Sequence, residues 1–598
     1  MCGIFATTDA QRWLARVDDV LETLSRRGPD ASGSLVVDNH LFAQTRLSII
    51  GLGDAGRQPA VSSDGKLTLV FNGEIYNYKE LARSLGYASM VSDTQLLAEL
   101  LRVEPTRIGE LRGMFAFVAW DAEKELLYSA RDHFGIKPLY SLTHGDGAIT
   151  FASQISPLLL DRDARAIDGI GLGTYLAFGH TGPELTCFEA VREVQPGVLH
   201  TWKYEGRRLR RWAVAFPDPT PTCTTVSDAL RSSVEAHLVA DVEVGTYLSG
   251  GVDSTLLTYL ASQYHGSIRS FTIGFPDQPD RDESQLAAHN AKLIGAEHTI
   301  VPASDRDLAA TARTFLREHG EPFGDAAMLA LTHLSLAVGR ELRVVLCGEG
   351  ADELFGGYGR YRITTLASKA RRLPVPFRRS LNRSWGVRRG GKPWARAVEA
   401  LLAGGGFRGH ASLLDGDLAF MTAVGESFER DVEALVSSGW SSAATNDLER
   451  ARTYDTYTWL PHVYLPKTDR ATMAGSVEAR VPFLDREVAH VARAQRVTPR
   501  DPKRSLVELL RDRLPGVHLP DRKQGLSMNL GRFVEEHFAP QVRRQLEDPQ
   551  SALRRWLGAA DPRIAELRAS RSPSFAFRLA MLDEWETVFG NEFTWTSG

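Results

Sequence analysis

The second residue of the chain is a cysteine. Removing Met1 would place a thiol and a free α-amine on one residue. An α-amine titrating at about 7.7–8.0 is an intramolecular base at neutral pH, and the thiolate it helps to form attacks carbonyl carbon. A second chemistry is written in Ser249-Gly250-Gly251-Val252-Asp253-Ser254. Glycines let a backbone close on an anion, and a helix beginning there offers unpaired N–H groups and positive potential. Ser254 is placed to cap that helix and to donate to phosphate. Asp253 alone would repel phosphate, so it makes sense as a ligand to Mg²⁺ bridging the phosphates. The Gly-Lys-Ser/Thr element of a Walker A loop is missing. A third cluster, Cys347-Gly348-Glu349-Gly350-Ala351-Asp352-Glu353, crowds carboxylates that are costly unless metal or cations balance them.

These groups need two kinds of scaffold. LTLVFNGEIY, GMFAFVAWD and LLYSARD, all before residue 215, are apolar or alternating runs punctuated by Gly and Asp, as strands are. Helices are expected from about Asp18 to Arg26 and through Ser92–Arg102, with Ser92 or Asp93 as cap. After residue 225 the rhythm changes. Strand and helix alternate through EVGTYLS, STLLTYLASQY, IRSFTIGF, DESQLAAHNAKLIG, EHTIV and, after two helical stretches, RVVLC. That pattern predicts βαβ units in a parallel, doubly wound sheet. The proline-rich FPDPTPTCTT, Phe216–Thr225, reads as a linker, so the expected division is 1–215, linker 216–225 and 226–598. Residues 368–409 are Arg-, Gly- and Pro-rich and read as a surface excursion. From about Arg450 the chain reads mainly helical.

Composition excludes several classes. With 43% hydrophobic and 24% charged residues, 598 residues make an ordinary globular chain of two to four domains. Seventy basic against 74 acidic residues give a net charge of −4, so the global basic field of a nucleic-acid binder is absent. No apolar run approaches the ~18 residues of a membrane helix, and the first residues lack the pattern of a signal peptide. Cys2, Cys187, Cys223 and Cys347 form neither a disulfide framework nor a CxxC pair, as expected of a reduced, cytoplasmic protein.

After Cys2-Gly3-Ile4 come Arg27-Gly28-Pro29-Asp30, Arg46-Leu47-Ser48-Ile49-Ile50, Phe71-Asn72-Gly73-Glu74-Ile75-Tyr76-Asn77 and Ser92-Asp93-Thr94. Their joint order resembles the class II glutamine amidotransferases, N-terminal-nucleophile hydrolases that take ammonia from glutamine. The resemblance implies that Cys2 is the nucleophile and that Asn72 and the Gly73 N–H form the oxyanion hole. It places Arg46 on the glutamine α-carboxylate, with Leu47, Ser48, Ile49 and Ile50 beside it, and Glu74 and Asp93 on the α-ammonium. Each residue also has a plainer use. Asn72-Gly73 is a hairpin-turn dipeptide, Arg46 could be a surface ion-pair residue, and Asp93 could simply cap its helix. One departure is Arg26, where the family often has His; little consequence is expected.

The glycine-rich loop resembles that of ATP pyrophosphatases. With Ser476-Val477-Glu478-Ala479-Arg480-Val481-Pro482-Phe483-Leu484-Asp485 and Arg522-Lys523-Gln524-Gly525, the chain is similar to the asparagine synthetase family over most of its length. The implied fold is an α+β sandwich (αββα), then an α/β domain with a doubly wound parallel sheet and a helical C-terminal part. The implied ATP contacts are Leu248, Ser249, Gly250, Gly251, Asp253, Ser254, Ile273, Cys347 and Gly348, with Mg²⁺ on Asp253 and Asp352. Glu349 would help form the acyl-adenylate site and take a proton from ammonia, and Lys523 would stabilise the reacting phosphate, although it could be a surface lysine. Glutamine, ATP and a small carboxylic acid are the implied substrates, with no nucleic acid or membrane partner, and family habit implies a homodimer.

Aspartate is the default acceptor. The family's Ser and Pro-Thr after Glu321-Pro322-Phe323-Gly324-Asp325 are here Ala326-Ala327-Met328-Leu329-Ala330-Leu331, however. The Gly-Phe and Pro near Lys523 are Gly525-Leu526 and Asn529. An amidotransferase acting on another carboxylic acid in specialised metabolism is the alternative. An RNA-modifying enzyme has only the basic stretch near Arg371–Arg396 in its favour.

Overall fold

In the computed structural model, Cys2–Thr7 lies inside a six-stranded sheet. The strand order is Val191–Glu193, Tyr140–Thr143, Ile149–Ala152, Cys2–Thr7, His40–Arg46 and Ala31–Val37. The structure describes all residues except 1, 54–55, 88–89, 91, 206–207, 218–220, 371–395, 399, 402–405, 415, 441–443, 445, 496, 499–500, 521–527, 559, 591–592 and 596–598. A second six-stranded sheet runs Arg208–Ala215, Val198–Glu205, Leu126–Arg131, Gly113–Asp121, Leu67–Ile75 and Ala60–Val61. The pairings in both sheets are antiparallel.

The period-two alternation explains the layering. Ile4 and Ala6 turn inward and meet Phe42, Val70, Ala116, Val118 and Phe151 between the sheets. Phe5 points the other way, against Trp13, Val20 and Leu24 under helix Val17–Leu24. Helices Tyr78–Ser84 and Asp93–Val103 cover the outer face of the second sheet. The result is the αββα order expected. Ser92 stands at the N-cap without a side-chain cap bond, and Asp93 lies inside the helix, so neither acts as the expected cap.

The second region holds five parallel strands in the order Glu297–Pro302, Arg269–Gly274, Val244–Tyr247, Val344–Leu346 and Glu478–Arg480. In chain order this is 3-2-1-4-5. Helices Val252–His265 and Ser284–Ile294 pack on each other, as do Ala327–Val338 and Leu465–Met473, in keeping with the right-handed crossovers usual between parallel strands, which place the two pairs on opposite faces. Strand order reverses between Val244–Tyr247 and Val344–Leu346. Ligands of such sheets sit at this switch point, outside the strands' carboxyl ends. The two loops leaving those strands begin with Leu248 and Cys347.

The two regions are not separate bodies joined by a tether. One hydrophobic cluster unites Phe5 and Trp13 with Tyr175, Phe315, Phe577 and Trp585, and the chain's Thr594–Trp595 pairs with Ala166–Ile167. Fully buried Arg27 forks onto Asp469 of helix Leu465–Met473 at 2.6 and 3.1 Å. Burial alone would raise the Asp469 carboxyl, but Arg27 and Arg470 outweigh it and bring it down to about 2.

Candidate active sites

Cys2 is buried at the start of its strand, directly across from Arg46. Burial pushes its thiol up. The positive chain terminus, the Leu47 backbone N–H and Arg46 pull against that. The Cys2 nitrogen, the α-amine once Met1 is removed, donates to Asn72 Oδ1 at 3.0 Å. That bond orients the amide. Asn72 is fully buried within strand Leu67–Ile75, and its Nδ2 has no hydrogen-bond partner among the described residues. A buried donor without a partner, on the amide that the Cys2 nitrogen orients, is of the type an oxyanion requires. Asn72-Gly73 is therefore no hairpin turn. Gly73 has φ +148°, and a Cβ there would stand 2.0 Å from the Met114 carbonyl oxygen. Asn72→Ala should lower the glutaminase kcat about 10²–10³-fold with KM within a few-fold, read from initial rates of glutamate release.

Glu74 and Asp93 lie together. Burial, Glu478 and Asp93 raise Glu74 well above the usual carboxylate range, and one of its oxygens has no partner among the described residues. Burial pushes Asp93 up to about 6, against bonds from the Ile75 and Thr94 backbone. Two crowded, buried carboxylates suit an incoming ammonium. Below its pKa Asp93 is neutral, so affinity for an α-ammonium falls as pH drops through about 6. KM for glutamine should then rise by up to about tenfold per pH unit below 6, and Asp93→Asn should flatten that profile.

Arg46 is not a surface residue. Its guanidinium holds the Ile50, Gly51 and Gly53 carbonyls, so the following loop is folded around a cation. Leu47 and Ile49 are buried against the second region, while the Ser48 N–H donates to Asp30. Arg26 reaches the Ala474 carbonyl and Glu318, so the departure from His serves a contact between the regions.

At the parallel sheet, Gly250 takes φ +76°, with the Leu286 side chain and the Ala287 backbone close to where a Cβ would stand. Gly251, not Ser254, is the N-cap of helix Val252–His265. Ser254 Oγ instead accepts from the Ser249 N–H and meets Ser249 Oγ at 3.1 Å, bracing the loop. Gly348 lies so close that a Cβ would be 3.1 Å from Asp253 Cβ. Cys347 is buried, and its N–H donates to the Arg480 carbonyl. Leu248 packs on Ala287 and Ala291, and Ile273 lies in the core, so neither presents an exposed side chain to a nucleotide.

Asp253 and Asp352, each in the first turn of a helix that follows one of the two loops, are brought together by a lysine that the motifs did not mark. Lys503 Nζ stands 2.5 Å from Asp253 Oδ2 and 2.6 Å from Asp352 Oδ1. Two hard oxygens thus already converge on one positive charge, the donor type Mg²⁺ takes from proteins, and the pair fits that ion. Glu349 Oε1 accepts from Thr468 Oγ1 at 3.1 Å. The adjoining Lys467 is paired with Asp325 at 2.8 Å; burial would lower its ammonium, but Asp325 and Glu349 outweigh this and raise it. Lys523, Gly525 and Leu526 lie outside the described residues, as does most of 368–409.

Glu478 and Arg480 stand in a sequence block that by itself assigns them no use. Their strand touches both sites. Arg480 lies 3.8 Å from Glu74 and 2.7 Å from Glu478, and its carbonyl accepts from Cys347. Burial would raise Glu478, but the chain terminus, Arg480 and Lys137 bring it down to about 2. Arg27 likewise donates to the Cys2 carbonyl while holding Asp469. The only signal for these residues was that charges stood inside otherwise apolar blocks.

Comparison with known proteins gives the chain its family. Residues 1–213 match the family model for a glutamine amidotransferase domain, and residues 225–585 match that for asparagine synthase. The chain is 30% identical over 584 residues to asparagine synthetase [glutamine-hydrolyzing] 1 of Bacillus subtilis (strain 168), covering 92% of this chain and 90% of that one. It is 33% identical to the putative asparagine synthetase [glutamine-hydrolyzing] of Mycobacterium tuberculosis (strain ATCC 25618 / H37Rv), covering 82% and 81%. It is 28% identical to amidase chry2 of Gibberella zeae, covering 63% and 62%. The chain therefore belongs to the asparagine synthetase family, glutamine-hydrolysing carbon–nitrogen ligases that carry out glutamine-dependent amidation.

Proposed function

We propose that the chain converts a carboxylic acid into its amide through an acyl-adenylate, at the cost of ATP, with ammonia drawn from glutamine at Cys2. The thiol of Cys2 gives its proton to its own amine, and sulfur attacks the glutamine side-chain amide. The oxyanion is met by Asn72 Nδ2 and the Gly73 N–H. The C–N bond breaks, the amine returns the proton, and ammonia leaves; water then cleaves the thioester to glutamate. Arg46 and the Glu74–Asp93 pair hold the two ends of the amino acid.

At the second site an acceptor carboxylate oxygen attacks the α-phosphorus of ATP, and pyrophosphate departs. Carboxylate is a poor electrophile, and AMP supplies the leaving group it lacks. Ammonia adds to the acyl carbon, Glu349 takes the extra proton, and AMP leaves. Ser249, Gly250, Gly251 and Ser254 form the phosphate cradle, with the Cys347-Gly348 backbone across from it. Lys523 is assigned to the reacting phosphate. Asp253 and Asp352 would hold Mg²⁺, which supplies charge neutralisation for the polyphosphate when bound. Lys503 is then positioned to pair with phosphate oxygen. The domain division remains 1–215 and 226–598 around the linker 216–225. The proposed setting is the cytoplasm, in keeping with four unpaired cysteines. No helix among the described residues is long and apolar enough to cross a membrane.

The observation that carries this reading is the strand Glu478–Arg480, which meets Glu74 beside the thiol and Cys347 beside the phosphate loop. The relatives' name makes aspartate the first acceptor to try. Product analysis tests the scheme: AMP and pyrophosphate should form in step with glutamate and amide. ADP and inorganic phosphate as the products would contradict it.

A further inference from the structure

A cavity of about 420 Å³ opens beside the second site. Glu349 does not line it but lies a short chain of contacts behind its wall: lining Asp325 pairs with Lys467, and the next residue, Thr468, donates to Glu349. Its other walls include Phe178, Leu413, Leu414, Trp459, Val463 and Met528. Trp459, Val463 and the lining Tyr464 come from one π-helical stretch, Asp455–Tyr464, which contains Pro461. Proline has no N–H to give to a regular α-helix, and π segments are frequent at functional sites. Ala326 and Ala327, which follow Asp325, lie on the same lining and add no polar side chain to it.

The charged lining groups are already engaged. Asp325 is held by Lys467. Arg360 forms two bonds to Asp455, at 2.9 and 3.0 Å. Arg578 donates to the Leu176 and Ala177 carbonyls, and Arg396 too has a partner. Aspartate carries a free α-carboxylate and an α-ammonium beyond the carboxyl that reacts. Each would need an opposite charge, since a buried ion without one is strongly disfavoured. Beyond Asp325, Arg360, Arg396 and Arg578, whose bonds run into the protein, the walls are mainly apolar, in a volume typical of sites for drug-sized ligands.

We infer that the acceptor is a monocarboxylic acid with an apolar body larger than the side chain of aspartate, seated in this cavity with its carboxylate toward Glu349. The inference rests on the acyl-adenylate reading and names its substrate class. The bonds made and broken are those already given for the acceptor carboxylate.

The test supplies ammonium chloride as nitrogen source, so the thiol site is not required, and compares 3-phenylpropionate, isovalerate and aspartate. Pyrophosphate release and the mass of the amide are read. The expected result is a kcat/KM at least tenfold higher for an apolar acid than for aspartate. Aspartate as the better acceptor would overturn the inference and leave the acyl-adenylate reading standing. Pyrophosphate from none of the acids would count against that reading. Calorimetry with the same acids, without ATP, then decides the cavity on its own. Tighter binding of 3-phenylpropionate than of aspartate supports the inference, and the reverse order or no binding overturns it. Leu414→Trp, which narrows the space, should raise KM for the apolar acid at least tenfold with kcat changed little.

Discussion

Replacing Cys2 by alanine should abolish amide formation from glutamine while amide formation from ammonium salts continues near the wild-type rate. The thiol is the one atom proposed to bond to glutamine carbon. Loss of a nucleophile from a comparable covalent mechanism costs on the order of 10⁶ in kcat. The second site stands on other elements, the ends of Val244–Tyr247 and Val344–Leu346, and none of its groups is removed. Glutamate release and amide formation, each measured with glutamine and with ammonium chloride, check this. Equal survival of both activities would remove Cys2 from the mechanism. Loss of both would mean that the buried contacts around Cys2, including Arg27 and Asn72, carry structural stress to the second site.

Replacing Glu349 by glutamine should suppress amide formation from either nitrogen source by about 10²–10⁴-fold, the usual contribution of a positioned base. Glutamate release should persist. Glutamine keeps the shape and an oxygen able to accept from Thr468 Oγ1, so the surroundings of Lys467 and Asp325 are retained. What is lost is the carboxylate that takes the proton from nitrogen. Exchange of labelled pyrophosphate into ATP in the presence of acceptor separates the steps. Exchange that continues while amide formation fails places Glu349 after the adenylate. Amide formation at the wild-type rate would show that another group takes the proton.

Much of the first site was legible because its residues sit in compact blocks whose types are chemically unusual together. Asn72-Gly73-Glu74 spans three successive strand positions, and the strand carries them to Cys2 without intervention from the rest of the chain. Local roles were less legible. Ser254 was expected to cap but braces Ser249, because the helix begins earlier, at Gly251. Arg46 was open between a surface pair and an anion ligand, and its enclosure by the Ile50–Gly53 carbonyls depends on loop closure that no spacing encodes. Lys503 was missed because a lysine outside any motif becomes notable only when two distant carboxylates meet it. The shared hydrophobic cluster was also invisible, since a proline-rich seam suggests separation whereas the core packing of Tyr175, Phe577 and Trp585 joins the parts.

By itself the sequence determined which chemistries are present: a thiol beside an amine, glycines before a helix, acids that need a cation, and strand periods of two followed by alternating strand and helix. Periodicity and residue type are local properties, so they survive in one dimension. The tertiary structure alone decided what meets what. The 3-2-1-4-5 order sets the helix start at Asp253 next to the Glu349 loop, the edge strand brings Arg480 to Glu74, and a π-helical stretch supplies Trp459, Val463 and Tyr464 to one cavity wall. Those contacts join residues up to hundreds of positions apart, and their free energy comes from burial and charge pairing, which exist only once the chain has folded.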